Sequence, residues 1–311
     1  MKIIVQMDPI ERLNLKGDST FALLLEAQNR GYTIDYYTPD MLTLNGDSLY
    51  ADACSISIKE NLEESFSLSE KKIVKLEDYD VVLMRQDPPF DMSYITATHL
   101  LEDLRDKVLL INDPFFVRNC PEKIFVNKFK QFMPPTIITR NRSEIFKFRE
   151  IHNEIIIKPL YGNGGAGIFY TDLKDKNFSS IVEHFIENYK EQFIIQKFIP
   201  NIKNGDKRII LVNGKAVGAI NRLPQKGEIR SNMHVGGIAF KTEITDKERE
   251  ICDALSPALI QNGLFLVGID VIDNYLTEIN VTSPTGIREL LKLSNIDAAS
   301  IFWDEVLERI N

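Results

Sequence analysis

Over its first 115 or so residues the chain alternates apolar runs of strand length with helix-length stretches, and this alternation narrows the possible folds more than any other feature. Ile3–Met7 is one such run, stopped by Asp8-Pro9, and Thr33–Tyr37, Val81–Met84 and Val108–Ile111 are three more. Between them, Ser19-Thr20 can cap a helix through Arg30, with Phe21, Leu24, Leu25 and Gln28 near one face and Gly31 ending it. A second helix fits near Tyr94–Arg105. Strands separated by helices predict an α/β unit with a mostly parallel sheet and helices on its faces. Residues 40–75 are polar and break the pattern, which predicts an insertion or a hairpin there.

Three segments follow predicted strands: Met7-Asp8-Pro9-Ile10, Arg85-Gln86-Asp87-Pro88-Pro89-Phe90 and Asn112-Asp113-Pro114. Ligands of open α/β sheets bind beyond the carboxyl ends of strands, where such loops lie. Proline also ends strands for want of an N–H, so spacing alone leaves both readings open. From about residue 120 the character changes. A helix over Pro121–Phe132 leads into the linker-like Met133-Pro134-Pro135-Thr136. Strands are then expected at Ile137-Ile138, Glu154–Lys158, Ile168–Thr171 and Phe193–Phe198, with helices near Phe178–Tyr189, Thr245–Asn262 and Asp297–Arg309.

Composition excludes several classes. The chain has 311 residues, 44% hydrophobic and 26% charged, which suits a globular protein and not a disordered or collagen-like one. At this length folding buries on the order of 75% of the unfolded surface, so no metal or disulfide is needed merely to fold. A net charge of −8 lacks the basic footprint of a nucleic-acid binder. Cys54, Cys120 and Cys252 lie far apart with no metal-ligand spacing, as expected of reduced thiols. His99, His152, His184 and His234 are equally scattered and read as structural. Nowhere do about 18 apolar residues run uninterrupted, so no membrane-spanning segment is expected. The N-terminal run is too short for a signal peptide, so a cytoplasmic location is expected.

Gly162-Asn163-Gly164-Gly165-Ala166-Gly167 matches the dinucleotide fingerprint G-x-G-x-x-G letter for letter. That fingerprint works only where the loop opens a helix. Here it runs from Ile155-Ile156-Ile157-Lys158 into the β-branched and aromatic Ile168-Phe169-Tyr170-Thr171, which rejects the dinucleotide reading. What survives is a glycine-rich hairpin tip beside Lys158. Glycines let backbone N–H groups approach an anion, and a lysine adds a point charge for phosphate oxygens. A ligand-free β-turn is the alternative, although four glycines in six residues exceed what a turn needs.

The run from Gly268 to Val281 reads as two strands around a turn. Strand alternation puts Glu278 and Asn280 on one face. If Asp273-Asn274-Tyr275 is a three-residue loop, Asp270 lies opposite Glu278 on that face. Two carboxylates and an amide oxygen then suit Mg²⁺, which also takes waters and substrate phosphates. A merely wet polar face is the alternative, and the phosphate loop upstream favours nucleotide plus metal.

In this order, these residues resemble the ATP-grasp superfamily and, within it, the bacterial glutathione synthetase family, over nearly the whole chain. The glycine loop and Glu278-x-Asn280 carry the superfamily resemblance. Asp87-Pro88-Pro89-Phe90-Asp91 and Thr277-Glu278-Ile279-Asn280-Val281-Thr282-Ser283-Pro284-Thr285 carry the more specific one, with Leu24–Gln28, Lys158-Pro159-Leu160 and Gly205-Asp206-Lys207-Arg208 in support. The resemblance implies an N-terminal open, mostly parallel sheet (the pre-ATP-grasp unit) followed by a two-lobed ATP-grasp domain. The expected boundaries are 1–120 for the substrate-binding unit, 121–205 for the small lobe and 206–311 for the C-terminal lobe.

The resemblance also implies roles. Lys123 and Lys158 would hold ATP phosphates under a loop containing Gly162, Gly164 and Gly165. Gln196, Lys197, Phe198 and Ile199 would form the hinge against adenine, and Asp206 would contact ribose. Asp270, Glu278 and Asn280 would bind Mg²⁺ or Mn²⁺. Arg208 and Arg230 would face the reacting phosphoryl and acyl groups. Residues from about Leu223 to Ile238 would form a lid, with Lys226-Gly227 and Gly236-Gly237 as hinges. Two positions depart from the family pattern: Ile238, where relatives often carry arginine, and Gly286, where many carry cysteine. The implied reaction joins γ-glutamylcysteine and glycine into glutathione through an acyl phosphate formed with ATP, releasing ADP and phosphate. The implied form is a homo-oligomer acting on small molecules, without nucleic acid or membrane. The rivals are another ATP-grasp ligase, of glutamate-ligase or D-alanine-ligase type, and a non-catalytic nucleotide-binding module.

Overall fold

The computed structural model describes residues 1–59, 66–162, 164–233 and 236–310. In the N-terminal unit β1 (Lys2–Gln6), α1 (Ser19–Asn29), β2 (Thr33–Tyr37), β3 (Leu42–Asn45), β4 (Ser48–Ile58), β5 (Phe66–Leu68), β6 (Lys72–Lys75), β7 (Val81–Met84), α2 (Met92–Glu102) and β8 (Leu109–Ile111) follow one another. The sheet order is β3-β4-β2-β1-β7-β8, and β5 and β6 also pair with β4. Pairing among β2, β1, β7 and β8 is parallel. The polar stretch that broke the sequence pattern is an antiparallel meander built on the long β4. Its residues 60–65 lie outside the described residues.

α1 is capped one residue earlier than expected. Asp18 accepts from the Phe21 N–H at 2.6 Å, which frees the buried Ser19 and Thr20 for longer-range work. Thr20 Oγ1 accepts from Arg85 Nε at 3.0 Å, and Ser19 Oγ accepts from the Ile287 N–H at 3.3 Å. The connection to the rest of the chain is α3 (Pro114–Asn119) and α4 (Glu122–Phe125), after which the expected helix tightens into a 3-10 segment, Val126–Phe132. Asn127 Nδ2 donates to the carbonyls of Lys123 and Ile124, both at 3.1 Å. A side chain thus competes for carbonyls the α-ladder would use, and Phe129 leaves helical geometry.

The small lobe holds β9 (Thr136–Thr139), α5 (Arg142–His152), β10 (Ile155–Pro159), β11 (Phe169–Thr171), α6 (Phe178–Asn188) and β12 (Phe193–Lys197), with sheet order β11-β10-β12-β9. The larger lobe holds β13 (Asp206–Val212), β14 (Lys215–Leu223), β15 (Ile238–Lys241), α7 (Asp246–Gln261), β16 (Leu266–Ile272), β17 (Tyr275–Asn280), α8 (Ile287–Ser294) and α9 (Ala298–Ile310). Its antiparallel sheet runs β15-β14-β13-β16-β17. A capping box between Thr245 and Glu248 starts α7.

The small lobe has its own core, in which Ile145, Ile155, Val182 and Phe185 meet. The other two cores each mix the N-terminal unit with the larger lobe. In one of them fully buried Trp303 on α9 donates from Nε1 to the Leu23 carbonyl on α1 at 2.8 Å. Asn112 makes the tightest stitch. Its Nδ2 donates to the Leu266 and Val281 carbonyls at 2.8 and 2.7 Å, and its Oδ1 accepts from the N–H groups of Phe265 and Leu266, both at 2.8 Å. The open end of the β16–β17 hairpin is thereby tied to the end of β8. Asp113 caps α3 and pairs with Arg105, so the Asn112-Asp113-Pro114 segment serves structure.

Candidate active site

The β16–β17 hairpin turns through two residues, not three. Ile272 faces Tyr275 across it, and Asp273 and Asn274 both have positive φ, at 50° and 64°, as a type I′ turn needs. An unbroken two-residue hairpin would set Asp270 opposite Thr277. A register shift between Asp270 and Val271 adds one residue to β17, and Asp270 faces Glu278 after all. Thr277 Oγ1 donates to the Asp270 carbonyl at 3.0 Å. Across β13, Arg208 stands opposite Asp270, so Arg208, Asp270 and Glu278 form one row over three strands. Asp206 and Arg222 face each other on the adjoining pair β13–β14.

The row closes into a buried charge network. Arg208 grips Asp270 with two hydrogen bonds, Nε to Oδ1 at 2.5 Å and Nη2 to Oδ2 at 3.0 Å. Arg222 Nη2 lies 2.9 Å from Asp270 Oδ1 and donates to Asp206 Oδ2 at 2.6 Å. Burial works against the charge of Asp270, yet Arg208 and Arg222 together hold its carboxyl well below the usual carboxylate range. Asp206 is pushed up to about 6 by burial, since Arg222 alone offsets it among the guanidiniums that touch it. Gly268 makes room for this geometry: a Cβ there would stand 2.9 Å from Arg208 Cδ.

Lys158, from β10, and Lys123, from α4, converge on Glu278 Oε1 at 3.4 and 3.6 Å. All three groups are largely buried, and the lysines hold the Glu278 carboxyl down although burial opposes its charge. Burial lowers the Lys158 pKa, whereas Lys123 is raised despite burial because Glu278 and Glu122 surround it. Lys123 also donates to the Gly162 carbonyl, which anchors the glycine loop. Gly164, Gly165 and Gly167 have positive φ. At Gly165 a Cβ would meet Asn232 Oδ1 at 2.8 Å, so the segment expected to be the lid packs on the loop where it has no side chain. Asn163, within the loop, and His234 and Val235, within the expected lid, lie outside the described residues.

These groups line a cavity of about 420 Å³ between the N-terminal unit, the glycine loop and the larger lobe. Lys123, Lys158, Gly162, Gly164, Gly165, Arg208, Glu278 and Asn280 all reach it, joined by Asp18, Asp87, Glu122 and Arg222. A narrower pocket of about 90 Å³ adjoins it, walled by Ile156, Ile168, Phe198, Ile199, Ile202 and Ile272, with Gln196, Lys197 and Asp206 at its edge. Apolar walls with a few polar groups suit a flat base. Asp206 Oδ1 is buried and has no hydrogen-bond partner among the described residues, so a hydroxyl donor from a ligand would satisfy it. The hinge N–H groups of Lys197 and Phe198 are already given to the Pro135 and Glu154 carbonyls, so they fix the strand's shape. Arg230 reaches this pocket from the lid, paired with Glu228 at 2.5 Å. It shares that pocket with Asp270 and Glu278, while its side-chain hydrogen bonds among the described residues go to Glu228 and the Gly165 carbonyl. Ile238 starts β15 with its side chain exposed. Gly286 has φ +117°, a conformation glycine alone adopts freely.

Sequence reasoning missed Arg222, Ser231 and Glu122. Arg222 was findable only once β14 was paired with β13 in register. Ser231, which donates to Asp206 Oδ2 at 2.9 Å, had no local signal. Glu122, next to Lys123 in the chain, accepts from Thr282 Oγ1 at 2.9 Å, and burial raises its carboxyl.

Residues 1–118 match the family model "Prokaryotic glutathione synthetase, N-terminal domain", and residues 122–295 match "Prokaryotic glutathione synthetase, ATP-grasp domain". The chain is 52% identical over 309 residues to the glutathione synthetase of Bradyrhizobium diazoefficiens, covering 99% of this chain and 98% of that one. It is 40% identical over 313 residues to the glutathione synthetase of Escherichia coli, covering 100% and 99%. Among solved structures it resembles D-cycloserine synthetase, with TM-score 0.70, 15% identity and coverage of 99% and 100%. It also resembles the D-alanine–D-alanine ligase of Bacillus anthracis complexed with ATP, with TM-score 0.61, 17% identity and coverage of 100% and 97%. At these identities the last two establish the ATP-grasp fold alone.

Proposed function

The chain belongs to the prokaryotic glutathione synthetase family, and from that premise we propose how its residues perform the family's ATP-dependent ligation. The reaction joins γ-L-glutamyl-L-cysteine and glycine into glutathione, releasing ADP and phosphate. A carboxylate oxygen of the cysteinyl residue attacks the γ-phosphorus, and ADP departs with the bond electrons. The glycine amine then attacks the acyl carbon of the acyl phosphate, phosphate leaves, and the amine's extra proton passes to solvent. No covalent bond to the protein forms, so the protein's task is positioning and charge stabilisation.

The observation that carries this reading is the convergence of Lys123 and Lys158 on Glu278, itself opposite Asp270, at the wall of the glycine-loop cavity. The two lysines and the N–H groups around Gly162, Gly164 and Gly165 hold the phosphates. The pocket beside Gln196, Lys197, Phe198 and Ile199 takes adenine, and Asp206 Oδ1 takes a ribose hydroxyl. Asp270, Glu278 and the Asn280 amide are hard oxygen donors, which fits Mg²⁺ or the similar Mn²⁺. Among the described residues no three His, Cys, Asp or Glu side chains cluster as a metal cage. Two carboxylates completed by phosphates and water are the arrangement Mg²⁺ usually takes. The ion supplies charge neutralisation on the transferring phosphoryl group. Arg208 lines the same cavity, and phosphoryl oxygens bound there would compete with Asp270 for its guanidinium. Arg230 closes from the lid, which shields the acyl phosphate from water.

Residues 1–120 serve as the substrate-binding unit, 121–205 as the small lobe and 206–311 as the C-terminal lobe with metal site and lid. The protein works in the cytoplasm as a homo-oligomer, without nucleic acid or membrane. Buried, unpaired Cys54, Cys120 and Cys252 support a reducing compartment, and among the described residues no helix is long and apolar enough to cross a membrane. The test is coupled ADP release with ATP, Mg²⁺, γ-glutamylcysteine and glycine, each omitted in turn, with the product mass confirmed. Dependence on both amino substrates and a product of glutathione mass is expected. ADP release independent of either would overturn the reading.

A further inference from the structure

A second pocket of about 90 Å³ opens off the main cavity on the side away from the hinge. Pro88, Pro89 and Phe90 wall it from the N-terminal unit, Pro121 from the start of α4, and Leu160 and Tyr161 from the approach to the glycine loop. Phe90 stacks on Tyr161, with ring centroids 5.9 Å apart and planes within 11°, and leans on Tyr94 at 5.2 Å. Its mouth is the wall it shares with the main cavity, where Glu122, Lys123 and Gly162 stand. An apolar chamber thus begins at the phosphate-holding lysine.

The reaction fixes what can reach it. The attacking carboxylate must lie against the phosphoryl group that Lys123 and Lys158 hold. The carbon bearing the substrate's side chain is bonded directly to that carboxylate. Its side chain therefore projects into whatever adjoins the lysines within two or three bond lengths. The γ-glutamyl end carries an ammonium and a carboxylate, and the polar cavity with Arg12, Asp18 and Asp87 suits it. Glycine is charged at both ends, and six proline, leucine and aromatic walls would desolvate it without compensation. A CH₂SH group behaves as a small hydrophobe and makes favourable contacts with aromatic ring edges.

We propose that the Phe90–Tyr161 pocket is the side-chain subsite for the acyl-donor residue and selects short, unbranched apolar side chains such as CH₂SH over CH₂OH. This rests on the ligase reading above. The subsite joins both halves of the molecule: Phe90 comes from the N-terminal unit and Tyr161 from the small lobe, and their rings already stack.

The test compares kcat/KM for γ-glutamylcysteine, γ-glutamyl-2-aminobutyrate and γ-glutamylserine, read by ADP release, in the wild type, Phe90→Ala, Tyr161→Ala and Tyr161→Phe. ADP affinity is measured by calorimetry for each. The wild type should favour the first two substrates over the seryl one by on the order of 10–100-fold, the range one small group yields in an apolar pocket. Phe90→Ala and Tyr161→Ala should cut that ratio to below about 5-fold, chiefly through KM for the dipeptide, with ADP affinity within twofold of wild type. Tyr161→Phe, which keeps the ring, should retain the selectivity. Tyr161 is 44% exposed, so its variants keep the question answerable if Phe90→Ala misfolds. Selectivity unmoved in variants that still bind ADP overturns the subsite alone. Failure of the wild type to turn over any γ-glutamyl dipeptide overturns the ligase reading and the subsite with it.

Discussion

Replacing Glu278 by Gln should abolish turnover and yet tighten the binding of metal-free nucleotide. Glu278 Oε1 lies 3.4 Å from Lys158 Nζ and 3.6 Å from Lys123 Nζ. At an effective dielectric near 20, each pair is worth about 4–5 kcal/mol before desolvation is subtracted. A nucleotide that recruits the lysines must compete with that carboxylate and be repelled by it. If about a fifth of the gross attraction survives as net competition, roughly 2 kcal/mol, the Gln variant should bind ADP about 30-fold more tightly in the presence of a chelator. With Mg²⁺ added, the order should reverse, because the variant has lost an oxygen ligand of full charge. Turnover should fall by at least about 10³-fold as charge neutralisation at the phosphoryl group is lost. Calorimetric titration of ADP with chelator and with Mg²⁺, on both proteins, separates the effects. Metal-free ADP binding no tighter in Glu278→Gln than in wild type would refute the competition argument, and near-normal kcat would refute the ligand assignment.

Two further outcomes are expected. Asn112→Ala removes four hydrogen bonds of 2.7–2.8 Å at a buried position; with water re-satisfying part of the loss, unfolding should become easier by about 3 kcal/mol, or roughly 4–6 °C in Tm for a chain of this length, and a loss under about 1 kcal/mol would sink the stitching argument. Asp206, pushed up to about 6 by burial, is ionised above that pH and protonated below it, so ADP affinity should fall as pH drops from 7.5 to 5; Asp206→Asn should flatten the profile, and a wild-type affinity constant over that range would remove Asp206 from the ribose contact.

Elements with a strong local signal were legible in the sequence, and those decided by pairing were not. The parallel core strands announced themselves as apolar runs, and the glycine loop was correctly placed between two strands because Ile168–Thr171 is β-branched and aromatic. The opposition of Asp270 and Glu278 was foreseen through a wrong turn: a three-residue loop was expected, whereas a two-residue turn and a bulge give the same register. A bulge leaves no composition signature, because any residue can be the extra one. Asp18 took the cap expected of Ser19-Thr20, since a carboxylate there satisfies the helix N-terminus while the hydroxyls are used across the interface. Arg222 was invisible for a different reason. Its partners Asp206 and Asp270 lie 16 and 48 residues away, on two different strands, and no local pattern links three such positions.

The same packing that made those pairings illegible decides which part of the site can move. The hairpin that bears Asp270 and Glu278 is clamped at its open end by the N-terminal unit: Asn112 holds Leu266 and Val281, and Arg85 Nη2 donates to the Pro284 carbonyl at 3.2 Å while Ser283 Oγ donates to the Arg85 carbonyl at 3.2 Å. Both mixed cores run through this junction, so the N-terminal unit and the larger lobe form one packed body. From β9 onward the small lobe keeps a separate core, and its strands and helices pack chiefly on one another, whereas α4 and Val126–Phe132 belong to the core shared with the larger lobe. The small lobe's Tyr161 ring adds a stacked contact with Phe90, while its polar ties to the site are few, with Lys158 on Glu278 and Gly162 on Lys123 foremost. Those are the contacts a nucleotide's phosphates would replace. If ATP draws the lobes together, the element expected to move is therefore the small lobe, carrying Lys158 and the glycine loop, toward an Asp270–Glu278 pair held by the mixed cores.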